Sequence, residues 1–137
     1  MEARINMITV AVDDLARSFA FFREGLGWKP WWPKDGRIEA ADHAAFELEN
    51  DLSLVLYPRR GLENDVGLPK APPSSSEFVL TQIVPRREDV DAVLLRAKGA
   101  GATILGGPAE QPWGYAGEFR DPDGHVWQIM WNGGTGK

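Results

Sequence analysis

Residues 5–12 (INMITVAV) are apolar and β-branched enough to read as a strand. The period then changes. Leu15, Phe19, Phe22 and Leu26 recur at i, i+4, i+7 and i+11, the spacing of an amphipathic helix, with Asp13-Asp14 offering an N-cap and Gly25-Leu26-Gly27 a stop. Strand-like stretches follow at 28–32, 44–49 and 52–57, separated by turn chemistry at Pro33-Lys34-Asp35-Gly36 and Asn50-Asp51.

The same order then repeats. Residues 77–84 (EFVLTQIV) read as a strand, Arg87-Glu88-Asp89 opens a helix, and Val90, Val93, Leu94 and Ala97 mark its apolar face. Gly99-Ala100-Gly101 closes it, and short strands near 102–105, 114–120 and 125–131 complete the half. Each half is therefore β-α-β-β-β, over about 5–57 and 77–131. Between them Pro58 to Ser76, with Pro69, Pro72, Pro73 and a run of serines, reads as a linker or crossing loop. Two modules, each with a sheet face to bury, predict a single α+β domain over residues 1–137.

The last strand poses a chemical question. It follows a tight turn at Asp121-Pro122-Asp123-Gly124 and alternates His125, Trp127, Ile129 and Trp131 with Val126, Gln128, Met130 and Asn132. A single Gln amid such apolar neighbours is either a core amide with a bonded partner or part of a site.

Composition works mainly by exclusion. With no cysteine among 137 residues, disulfides, thiolate nucleophiles and zinc–thiolate sites are ruled out. No apolar run approaches the roughly 18 residues of a membrane span. The start (Met1-Glu2-Ala3-Arg4) lacks a signal-peptide pattern, so a cytoplasmic protein without a membrane partner is expected. A net charge of −5, from 20 acidic against 15 basic residues, disfavours nucleic acid as a partner. Neither a phosphate-cradling GxxxxGK[ST] nor a Ser/His/Asp set is identifiable. Six tryptophans are many for this length, and two adjoin at Trp31-Trp32. These, with Trp113-Gly114-Tyr115, either stack a flat or cationic ligand, pack the modules, or bury against a second subunit. A homodimer is expected.

The repeated module, the opening "ITVAVDDLARSFAFFREGLGW" and the closing "GYAGEFRDPDGHVWQIMWN" resemble the vicinal oxygen chelate superfamily, over nearly the whole chain. That group includes glyoxalase I, bleomycin-resistance proteins, fosfomycin-resistance enzymes and extradiol dioxygenases. The resemblance implies two βαβββ modules forming a paired, cup-shaped sheet. For the enzymes of the group it also implies a divalent metal held by His, Glu or Gln on the first and fourth strands of each module. Those positions fall here on Met7, on Val55 or Leu56, on Val79 and on Gln128. Only Gln128 offers a hard oxygen donor, and a thioether is a soft one, so neither a metal nor a cofactor is expected.

Gln128 is expected to face the cup. Met7, Thr9, Leu56, Val79, Thr81 and Met130 are expected beside it, Glu118 joining from the preceding strand and Trp113 and Tyr115 from the Trp-Gly-Tyr turn. An apolar cavity with a few polar groups is the usual makeup of a small-molecule site. His125 lies on the strand face opposite Gln128 and reads as structural, while His43, after Asp42 at a strand entrance, reads as exposed. The expected function is a metal-free small-molecule binder similar to bleomycin-resistance proteins. A superfamily enzyme with a diverged site, lyase, isomerase or dioxygenase-like, is the alternative, with Glu118 or Glu110 as base if it works without a metal, and a structural or regulatory dimer without a ligand is the second. No catalytic residue can be named.

Overall fold

The structure is a computed structural model that describes residues 1–67 and 78–134. The chain divides into two compact units, Met1–Ala71 and Pro72–Lys137. Among the described residues no helix is long and apolar enough to cross a membrane.

The first unit holds β1 (Met7–Val12), α1 (Leu15–Ala20), β2 (Pro30–Trp32), β3 (Ala44–Glu47), β4 (Ser53–Pro58) and α2 (Arg59–Val66). Its sheet order is β1-β4-β3-β2, with β1 parallel to β4 and the other pairs antiparallel. A parallel pair needs a long crossover, which α1, β2 and β3 supply. Helix α1 starts where the Asp14 carboxylate accepts from the Arg17 amide at 3.1 Å, so Asp14 is the cap of the two aspartates. A π-helical turn, Phe21–Gly25, prolongs it, and Phe19, Phe21 and Phe22 are all buried. Phe46 of β3 meets Phe19 and Phe22 with ring centroids 5.5 and 5.7 Å apart. Strand alternation then sorts the rest. Val10, Val12, Leu54 and Leu56 join Phe46 in the core, while Met7, Thr9, Ser53, Val55 and Tyr57 take the opposite, open face. Leu56 is therefore core and lines no open face; Val55 stands there instead, because β4 begins at Ser53. The stretch after Pro58 also differs from the loop expected of it, since its first eight residues form α2. Beyond residue 67 that stretch lies outside the described residues, as do Glu77 and the end of the glycine-rich tail.

The second unit repeats the plan with β5 (Leu80–Ile83), α3 (Arg87–Gly99), β6 (Thr103–Ile104), β7 (Ala109–Gln111), β8 (Gly114–Arg120) and β9 (Val126–Trp131). The order is β5-β9-β8-β6, with β7 also paired to β8. Strand β5 runs parallel to β9 as β1 does to β4, so the opening strands occupy equivalent places. Arg86 and Asp89 close the start of α3, where the Arg86 amide donates to Asp89 at 3.2 Å. Val90, Leu94 and Ala97 of α3 are buried, as are Phe119, Trp127 and Ile129 of the sheet. The other face carries Thr81, Ile83, Gln128, Met130 and Glu118, in register across three strands.

Candidate functional site

The open face of the first sheet forms a cavity of about 350 Å³ lined by Met7, Thr9, Trp31, His43, Ala45, Val55, Tyr57, Leu62 and Asp65. Strands β1, β3 and β4 supply its floor by alternation, and α2 adds Leu62 and Asp65, one helical turn apart. Its polar groups are already partly committed. The Trp31 indole N–H donates to Ser53 Oγ at 3.1 Å, the Tyr57 hydroxyl donates to Asp65, and His43 Nδ1 lies 2.7 Å from Asp42 Oδ1. The His43 ring stacks between Trp32 (centroids 5.8 Å apart, planes 17° apart) and Tyr57 (5.9 Å, 21°). The hydrogen bond from His43 holds the Asp42 carboxyl below its ordinary range, and the bond to Asp65 raises the Tyr57 phenol.

The second unit carries a polar row on its open face. Gln128 is paired across the sheet with Thr81 on one side and Glu118 on the other. The Thr81 hydroxyl donates to Gln128 Oε1 at 3.2 Å, and Gln128 Nε2 donates to Glu118 Oε1 at 3.1 Å. The lone amide of β9 is thus the middle of a three-residue network, with Met130 beside it on the same face. Tyr115 occupies the other face of β8. It is buried, its hydroxyl donates to Asp91 of α3 at 2.9 Å, and the Arg87 guanidinium lies 3.9 Å above its ring. Trp113 stands exposed at the β7–β8 turn and Val79 exposed before β5.

Of the two histidines, His125 is buried beside Asp121, which accepts from its backbone N–H and lies 3.0 Å from its Nδ1. His43, expected at the surface, is half-buried and lines the cavity. Its stacking partners come from β2 and β4, which no local pattern around residue 43 reveals. Asp65 and Leu62 were hidden by the linker-like composition around them. Tyr57 was within reach, since it continues the Ser53, Val55 alternation by two. Among the described residues, Asp121, Asp123 and His125 are the one group of three such side chains close enough to share an ion. Asp121 is fully used, however, accepting from the Asp123 and His125 amides and the Trp127 indole, so the cluster is a turn and strand anchor.

Comparison with known proteins agrees with this architecture. A family model described as the Glyoxalase/Bleomycin resistance protein/Dioxygenase superfamily matches residues 4–129. The chain belongs to this superfamily. An uncharacterized protein of Bacillus subtilis (strain 168), YetH, is 28% identical over 134 residues, covering 94% of this chain and 98% of that protein. The crystal structure of a glyoxalase-related enzyme from Fulvimarina pelagi is similar with a TM-score of 0.84 at 26% identity, covering 96% of this chain and 90% of that one. TnmS3, an antibiotic binding protein from Streptomyces sp. CB03234, shares the fold with a TM-score of 0.65 at 24% identity, covering 96% and 97%.

Superfamily membership makes the metal question specific, and the donor chemistry answers it. At the positions that the sequence resemblance designates, this chain presents a thioether (Met7), two hydrocarbons (Val55 and Val79) and one neutral amide (Gln128). A divalent ion needs about three hard or borderline donors in place of its water. The Gln128 carbonyl is moreover engaged by Thr81. These residues do not fit a catalytic metal.

Proposed function

We propose that the chain is a small-molecule-binding protein that holds a largely apolar, ring-bearing ligand without a divalent metal, on the open face of the first sheet. The cavity carries this reading: roughly 300–1,000 Å³ is the usual size of ligand pockets, and an apolar lining with a few convergent polar groups is their usual makeup. Met7 and Thr9 belong to its lining, and Trp31, His43 and Tyr57 give it aromatic surface. In the second unit Gln128, Thr81, Glu118 and Met130 are proposed as a separate ligand-contacting row on that unit's own sheet. The in-register row and the half-exposed Gln128 amide support this, since the amide keeps one N–H and one lone pair beyond its two bonds. A homodimer in the cytoplasm completes the proposal, supported by exposed tryptophans and the absence of cysteine.

Calorimetric titration with 2-naphthol tests the site. Saturable binding that is unchanged by EDTA is expected, weakened about tenfold or more in Val55→Phe, which fills the cavity floor. Equal binding by a folded Val55→Phe variant, or loss of binding on chelation, would overturn the assignment.

A further inference from the structure

The hydrogen-bonding state of the same cavity specifies more than its size. We infer that it selects planar ligands that donate hydrogen bonds, such as phenols and aromatic amines, and discriminates against carboxylates. The inference rests on reading the cavity as a ligand site and adds the chemistry of what it accepts.

Three of the polar groups in the wall spend their hydrogens on the protein itself. The Trp31 N–H goes to Ser53, and the Tyr57 O–H goes to Asp65. An ionised carboxylate can only accept, so the Asp42 contact at 2.7 Å puts an N–H on His43 Nδ1, which is the single proton of the uncharged ring. That leaves His43 Nε2 as a lone pair, with no protein partner among the described residues. The stack between Trp32 and Tyr57 fixes the plane in which that lone pair lies. Tyr57 Oη keeps its lone pairs, and Asp65 keeps a carboxylate oxygen that Tyr57 does not use. Among the nine lining side chains, Thr9, whose hydroxyl rotates, is the one that offers a free donor; Met7, Ala45, Val55 and Leu62 offer none.

The polar complement is therefore acceptor-rich, and the charge agrees. Asp65 lines the cavity and Asp42 adjoins it, while none of the nine lining residues is Lys or Arg. A ligand O–H or N–H satisfies these acceptors. A ligand that brings only acceptors leaves them unpaired against lone pairs, and an anion adds repulsion.

Three probes of one ring system separate the possibilities at neutral pH: 2-naphthol (donor), 2-methoxynaphthalene (acceptor only) and 2-naphthoate (anion). Calorimetry on the full chain is expected to give 2-naphthol the tightest binding, by about tenfold or more over each of the others. His43→Phe keeps an aromatic ring in the stack but removes Nε2, so the preference for 2-naphthol over its methyl ether should shrink while the ether's own affinity holds. Unchanged preference in that variant would show that His43 is not the acceptor. Equal affinity of the wild-type protein for all three probes would overturn the selectivity and leave the cavity as a site. Binding of none would overturn the proposed function and this inference together.

Discussion

Asp65 and Asp91 decide the behaviour of both tyrosines of the protein. Tyr57 donates to Asp65 and Tyr115 to Asp91, and in each case that hydrogen bond is the largest cause raising the phenol above its ordinary 10.0. Arg87 over the Tyr115 ring works in the other direction and is the weaker influence. Ionising either phenol removes the shared proton and sets two anions side by side. Because both folded-state values are raised, the bonds contribute stability that is present below pH 10.0 and is lost as pH rises through the folded values. Tyrosinate absorbance in the native protein should therefore rise at higher pH than in the guanidinium-unfolded chain. Asp65→Asn should return one of the two tyrosines toward ordinary titration. A native curve that superimposes on the unfolded one would show that neither bond persists in solution.

Elements depend on backbone proximity as much as on side chains, and Gly117 is where this is most exposed to test. It lies on the α3 face of β8, where a Cβ would come 2.5 Å from Leu94 Cδ1 and 3.3 Å from Pro108 Cα. Leu94 is itself 4% exposed and Pro108 contributes backbone, so neither can simply step aside. Gly117→Ala should lower stability by roughly 1–3 kcal/mol, the usual range for overpacking a filled core. Chemical denaturation measures it, and an unshifted midpoint would mean that α3 sits farther from the sheet than described. The legibility of the elements follows the same physics. Strands β1, β4, β8 and β9 were readable because each buries one face, which writes a period of two into the sequence. Strand β7 was not, since Ala109, Glu110 and Gln111 are all exposed and carry no alternation. Helix α2 was masked by its setting: it follows Pro58 with no side-chain cap and leads into a Pro- and Ser-rich stretch.

At the scale of the whole molecule, repetition made the two-module plan visible, and parity along β1 placed Met7 and Thr9 on the cavity side. The remaining walls come from tertiary contacts. His43 is held by rings from two other strands, and Asp65 arrives on a helix that periodicity did not announce. The same scale carries the question of assembly. Met7 and Trp31 of the first unit are 55% and 43% exposed, and Val79, Ile83 and Trp113 of the second are 53%, 44% and 48% exposed. Covering such side chains yields roughly 25 cal/mol per Å² of apolar area removed from water, a driving force that subunit interfaces use. A second copy of the chain, presenting the identical surface, is the partner always available to it. Sedimentation equilibrium at micromolar concentration should therefore give a particle of twice 15.2 kDa. Because apolar burial, unlike an ion pair, is not screened by counterions, that mass should hold as salt is raised. A single-chain mass persisting at tens of micromolar would refute the dimer.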